Sequence, residues 1–217
     1  MEAARRLRRR GRGRGLAYAY VVTIAGVFSS KGGRATIITD PCPPSTGYTI
    51  GKPTADIVTL SHRHDDHSYT KAIAGHPVVL DSPGEYEIHG AFLTGISTHH
   101  DGERGSERGE NIAFVIEMED IRSCHLGDLG HTPTAGQAEE MTGVDVLLVP
   151  VGGNSTIDAR KAAEVVSLLE ARLVIPMHYQ TPANKGMLDP PDRFLKEMGV
   201  TTVEAQPKLS ISRDYKR

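Results

Sequence analysis

The chain has 217 residues, 38% of them hydrophobic and 24% charged, a profile that suits one sizeable core and speaks against a disordered or fibrous chain. Its two cysteines, Cys42 and Cys124, are too few for a disulfide framework and stand outside any C-x-x-C spacing, so neither a zinc ribbon nor a disulfide-stapled secreted scaffold is expected; a reducing, cytoplasmic setting is. The net charge of -2 is uneven: seven arginines against Glu2 make residues 1–14 +6, leaving -8 on the acidic remainder.

That basic opening, "RRLRRRGRGRG", precedes the apolar run "LAYAYVVTIAGVF". A secretory signal, a targeting presequence and an RNA-binding arm are its functional readings. The reading adopted is a disordered extension over residues 1–14, followed by a first strand that begins a single domain over 15–217. The run is β-branched and aromatic, lacks a clear small-residue cleavage site and is too short to cross a bilayer. No other stretch reaches that length, so no membrane association is expected.

Further on, "ATIITDP" and "ADIVTLSH" read as short buried strands ending in polar residues. Successive strands follow in "HPVVLDSPGEYEIHGAFLTGISTHH", with turns at Ser82-Pro83-Gly84 and His89-Gly90. "NIAFVIEMEDIRSCHLGD" holds two strands joined near Glu119 and Asp120, and "DVLLVPVGG", apolar without alternation, predicts a strand covered on both faces. Ser155 and Asp158 make a capping pattern for a helix whose inner face is Ala162, Val165, Val166 and Leu169. The strand "RLVIPMH", a helix near "PDRFLKEMG" and two closing strands complete an α/β chain of sheets with helices packed outside them.

On that map His62, His100, Asp128 and His178 each follow a different strand, all at the same end. Sites in layered α/β proteins are commonly built there. The segment "SHRHDDHS" supplies H-x-H-x-D-H: in extended chain His62 and His64 share a side and can reach one cation, while Asp66 and His67, beyond a turn, can face a second. His100 completes the first position and His178 the second, with Asp128 bridging. Two divalent cations fit this donor set, zinc first, with iron or manganese as alternatives.

This ordered series, with "LGDLGH" around Asp128 and "IPMHY" around His178, resembles the metallo-β-lactamase superfamily, and within it a branch of small metal-dependent hydrolases related to ascorbate-6-phosphate lactonase. The resemblance runs from about Thr36 to near the C-terminus and is reinforced by "ERGENIAF", "CHLGDLGH" and "DVLLVPVGG". It implies an αββα sandwich with the metal centre along one edge of two sheets. It also implies His62, His64 and His100 on one metal, Asp66, His67 and His178 on the other, Asp128 between them, and Asp40 of "IITDP" orienting the site from outside the ligand set. Strand parity alone does not choose between His99 and His100; the family's His-Asp pairing matches His100-Asp101. One departure stands out, because this branch usually opens with an aromatic-x-Gly-His element, whereas "YVVTIAGVFSS" has no histidine before His62.

The remaining polar residues divide into two groups. Asp66 is a candidate catalytic residue that orients the nucleophile or shuttles a proton, and His131 is either a helix-entry residue or a proton donor lining the site. His125 is expected to be a strand residue or a partner supporting the ligands rather than a ligand itself, and His76 and His89 surface or packing residues near turns. Asn154 and Tyr179 are either substrate contacts or loop caps. The loop "DGERGSERGE" is either a solvated, mobile loop or a flap carrying Arg104 or Arg108 to an anionic substrate.

Two divalent cations outweigh the charges of Asp66 and Asp128, so the expected reaction is attack of metal-bound hydroxide on a small anionic, ester, lactone or phosphodiester substrate. Two alternatives remain open: a nucleic-acid phosphodiesterase, for which the arginine tail would supply phosphate contacts, and a non-catalytic metal-binding protein. The acidic body disfavours nucleic acid. An oligomer is compatible with the sequence.

Overall fold

β-Branched runs broken by Pro, Gly and Asp set the strands, and alternation along them sorts side chains between separate cores. The computed structural model describes residues 4–7, 26–29, 35–201, 203–206 and 211. Within the arginine-rich opening, Ala4–Leu7 (β1) pairs antiparallel with Val203–Gln206 (β12). The rest of the expected extension over residues 1–14 lies outside the described residues, as does most of the expected first strand and one of the two expected closing strands.

The first of two larger sheets has four neighbouring strands, β2 (Gly26–Ser29), β3 (Thr36–Thr39), β4 (Ile57–Thr59) and β5 (Val78–Leu80), parallel except for β2. The second contains β6 (Gly84–Ile88), β7 (Ala91–His99), β8 (Glu110–Met118), β9 (Ile121–His125), β10 (Val146–Pro150) and β11 (Leu173–Met177), side by side in chain order. β6 to β9 form an antiparallel meander, and β9, β10 and β11 run parallel. At the β8–β9 turn Glu119 and Asp120 both have positive φ, 51° and 62°, the backbone that a tight two-residue hairpin requires.

Parallel strands need crossovers, and helices supply them on the larger sheet. α1 (Ala135–Met141) links β9 to β10, and α2 (Ala159–Leu168) links β10 to β11. α2 is capped by Asp158, which accepts the Lys161 N–H at 2.8 Å, so of the expected capping pair Asp158 holds the cap position. Its Ala162, Val165, Val166 and the adjoining Leu169 pack with Phe194 of α3 (Asp192–Glu197) onto Leu126, Leu147 and Val149. On the opposite face, Leu93, Ile112, Phe114 and Ile116 meet Ile37, Ile57 and Leu80, which makes the core between the sheets.

The two-sheet sandwich is as expected, but its fourth layer is reduced. Ile38, Val58 and Leu60 on the outer face of the four-stranded sheet are covered by Ile50, Ala55 and Ile73, beside the single 3-10 turn Thr70–Ala72. No α-helix lies there among the described residues. The β3–β4 connection, with Pro41, Pro43, Pro44 and Pro53, is poorly suited to one.

α1 was anticipated only through His131 as a candidate helix-entry residue, with no bounds of its own. Its signal is Thr134-x-x-Gln137: the Gln137 N–H reaches Thr134 Oγ1 at 3.4 Å while the Thr134 N–H donates to Gln137 Oε1 at 2.8 Å, a reciprocal capping box. Gln137 Nε2 also donates to Ser97 O at 2.7 Å, which ties the helix to β7.

Candidate metal centre

Strands β4, β7, β9 and β11 all end at one edge, and each hands its next polar residue to a common point. His62, His64 and His100 bring their ligand atoms within 4.8 Å of one another, and so do His67, Asp128 and His178. The turn between these groups is closed by the His67 N–H on His64 O at 3.0 Å, which reverses the chain inside H-x-H-x-D-H. His62 and His64 thereby face one triple while His67 faces the other.

Asp128 joins the two groups. Its Oδ2 lies 3.2 Å from His178 Nε2, 3.3 Å from His100 Nε2 and 3.6 Å from His67 Nε2. Two ligands bound tetrahedrally at zinc distances stand about 3.3 Å apart, which is longer than a charge-assisted hydrogen bond. The spacing suits donors arranged around a metal ion. Two further observations agree: the buried Nε2 atoms of His62 and His67 have no hydrogen-bond partner, and buried nitrogens are rarely left so. Asp66 stands at the rim, half-exposed, with Oδ2 3.7 Å from His67 Nε2.

Asp40 braces the cluster from below. Its backbone is left-handed at φ 43°, and its Oδ1 accepts the Ser61 N–H at 2.7 Å. Oδ2 accepts the Ser61 hydroxyl at 2.5 Å and the His67 Nδ1–H at 3.2 Å. Burial works against its charge, but the His67 hydrogen bond, with His125, His67 and His62 nearby, holds the carboxyl below the usual carboxylate range.

The electrostatics separate the imidazoles. Burial, then repulsion from His67, pulls His62 down to about 4. Burial also opposes charge on His67, but Asp128, Asp40 and Asp66 together push it up to about 9. His100 is held down, chiefly by burial. Asp128, although buried, is kept far below its ordinary value by His178, His67, His62 and His100.

Close backbone packing makes this edge possible. A Cβ on Gly127 would overlap the Ser61 side chain and lie 2.5 Å from Asn111 Oδ1, and one on Gly130 would run into the backbone of His100 and Asp101. Both glycines of "LGDLG" are thus demanded by neighbours. Gly152 plays the same part for His178, whose carbonyl oxygen occupies the space its Cβ would need. His178 itself sits at φ 50° as the chain leaves β11.

Two residues to which the sequence assigned no role of their own hold the loops. Asn111 is fully buried; its Oδ1 accepts the Asp128 N–H at 2.9 Å, and its Nδ2 donates to Thr98 Oγ1 at 2.7 Å and Leu126 O at 3.0 Å. An amide at the head of an otherwise apolar strand is the available signal. Asp101 accepts four backbone N–H groups, from Glu103 and Gly105 on Oδ1 and from Glu107 and Arg108 on Oδ2. Burial opposes its charge, yet these donors hold it at about 2. The segment after His100 is therefore an exposed loop wound on a carboxylate.

The structure separates His99 from His100. His100 is buried against Asp128, whereas the His99 ring lies against His131, 5.3 Å between centroids, with Nδ1 3.4 Å from Glu110. His131, three residues before the Thr134 cap, lies at the entry to α1; its Nε2 accepts the His99 N–H at 3.1 Å and its Nδ1 lies 2.9 Å from Thr132 O, so both nitrogens face the backbone. His125 is a buried strand residue, and His76 and His89 are exposed. Asn154 donates to Met187 O at 3.0 Å as a loop tie, and Tyr179 is buried in the core beneath the helices. No helix among the described residues is long and apolar enough to cross a membrane.

Comparison with known proteins places this geometry. The model of the beta-lactamase superfamily domain matches residues 22–178, which include every candidate ligand. A UPF0173 protein of Pyrococcus furiosus is 31% identical over 186 residues, covering 75% of this chain and 81% of its own. A UPF0173 metal-dependent hydrolase of Thermococcus onnurineus is 27% identical, covering 69% and 79%. Among solved structures, a Thermotoga maritima protein assigned to the zinc-dependent hydrolases of the metallo-beta-lactamase superfamily superposes with a TM-score of 0.68 at 39% identity, covering 89% of this chain and 84% of that one. The chain belongs to the metallo-β-lactamase superfamily and, within it, to the UPF0173 family of metal-dependent hydrolases.

Proposed function

We propose that the protein is a binuclear metal-dependent hydrolase acting on a small ester, lactone or phosphodiester. The observation that carries this reading is the position of Asp128 Oδ2 within 3.2–3.6 Å of imidazole nitrogens from three separate segments, His67, His100 and His178. A single oxygen so placed suits a bridge between two cations. His62, His64 and His100 would hold one, and Asp66, His67 and His178 the other, with zinc the first candidate.

Cations held there supply Lewis-acid polarisation of the scissile group and a water acidic enough to attack near neutral pH. The chain's own residues do the rest. Asp66, exposed at the rim beside His67, orients the attacking water or accepts its proton. Arg104 and Arg108, on the loop wound on Asp101 next to His100, suit an anionic substrate. The lactone option follows from the resemblance to ascorbate-6-phosphate lactonase.

Metal quantification coupled to turnover of generic ester, lactone and phosphodiester substrates tests the reading, comparing the natural chain with a His62→Ala, His64→Ala variant. Loss of both metal and hydrolysis is expected. A variant with unchanged metal content would overturn the assignment.

A further inference from the structure

The hydroxyl of Ser61 has one proton, and the structure shows where it goes. Asp40 Oδ2, ionised and 2.5 Å away, can only accept, so Ser61 donates to it. The oxygen of Ser61 is then left with lone pairs toward His62 Nδ1, 2.9 Å away. That contact is a hydrogen bond only if His62 carries its proton on Nδ1. The tautomer leaves Nε2 bare, and Nε2 is the buried nitrogen of His62 without a partner.

Asp40 Oδ2 meets His67 in the same way, since His67 Nδ1 lies 3.2 Å from it and His67 Nε2 is likewise buried and unpartnered. One carboxylate oxygen thus presents two imidazoles, one directly and one through a hydroxyl. Each ring also belongs to a triple of its own, His62 with His64 and His100, His67 with Asp128 and His178, besides the group that the two form with Asp40.

We propose that Ser61 is a positioning residue that fixes His62 as its Nδ1–H tautomer, so that both cation positions depend on the Asp40 carboxylate but only the first depends on Ser61. The proposal rests on the binuclear reading above for its metal consequences and on the hydrogen-bond geometry alone for the tautomer. Ring partners of this kind typically change metal affinity by about 10–100-fold when removed.

The test has two arms. Long-range proton–nitrogen correlation spectra of the metal-free protein report which nitrogen of His62 is protonated. The natural chain is expected to show Nδ1–H, Ser61→Ala to lose that preference, and Ser61→Thr, which keeps a hydroxyl, to retain it. Cobalt(II) titration followed by absorption reads the second arm. Ser61→Ala is expected to weaken one of two binding steps by about 10–100-fold and leave the other unchanged, and Asp40→Asn to weaken both. An Nε2–H tautomer in the natural chain, or a Ser61→Ala protein with both binding steps intact, overturns the proposal. Because the natural-chain spectrum needs no metal and no variant, an Nε2–H tautomer there overturns the proposal even if a variant fails to fold. Failure of the natural chain to bind two cobalt ions would instead sink the binuclear reading and, with it, the second arm.

Discussion

Asn111 and Asp128 are joined by one hydrogen bond, from the Asp128 N–H to Asn111 Oδ1 at 2.9 Å, across 17 residues of chain. It connects the head of β8 to the loop that presents the Asp128 carboxylate. Asn111 spends its remaining donors on Thr98 and Leu126, so one buried amide aligns β7, β8 and the end of β9.

Replacing Asn111 by alanine takes the side-chain partner from the Asp128 N–H and from the Leu126 carbonyl in a dry interior. The expected cost is about 1–3 kcal/mol, read by denaturant unfolding. Metal content should fall as well, because the Asp128 loop loses its anchor. Unaltered stability together with full metal loading would contradict this role.

The glycines of the site edge are separable from glycines elsewhere. In Gly130→Ala the new Cβ collides with backbone, at the Asp101 nitrogen and the His100 carbonyl carbon, so the His100 segment has to move and bound metal should be lost. Gly136, in the first turn of α1, has nothing within 4 Å of its Cβ position. Gly136→Ala is expected to raise stability by about 0.5–1 kcal/mol with metal content unchanged.

Asp101 makes the loop acid-sensitive. Its folded pKa of about 2 lies below its unfolded value, so its contribution is complete above about pH 4 and disappears as the pH falls through 2. An asparagine there keeps one accepting oxygen where four N–H groups use two. Asp101→Asn should therefore speed proteolysis within residues 102–109 at neutral pH and flatten the acid limb of the melting profile. Identical acid limbs would refute the assignment.

His67 predicts a proton count. Without metal it stays protonated up to about 9, and this raised value stabilises the metal-free protein fully below pH 6.5, the benefit being lost as the pH climbs through 9. A cation at Nε2 has to displace that proton. Calorimetric titrations of zinc at pH 7.5 in buffers of different ionisation enthalpy should show release of at least one proton, the His67 share declining above pH 9. His62, already neutral above about 4, adds none in this range. No buffer dependence would mean that His67 is not a ligand.

Much of the centre was legible because its logic is local. H-x-H-x-D-H places four donors in six residues, and His100, Asp128 and His178 follow apolar strands whose ends lie at one edge. The same locality reveals the α2 face and the strand buried on both sides at Val146–Pro150, since the pattern of apolar residues is written in the chain. α1 was written there too, in Thr134-x-x-Gln137, but a seven-residue helix containing Gly136 carries too little periodicity to stand out.

Donor types, their order and the strands that deliver them are properties of the chain alone, because a run of apolar residues with a polar terminus has the same meaning in any surrounding. How the polar groups are partnered came from packing. His131 spends both nitrogens on backbone, Asp101 winds a loop that otherwise reads as free, Asn111 holds Asp128, and Ser61 stands between Asp40 and His62. Each of those partnerships depends on which donors and acceptors lie within about 3 Å once the sheets have packed, a distance that no spacing along the chain encodes.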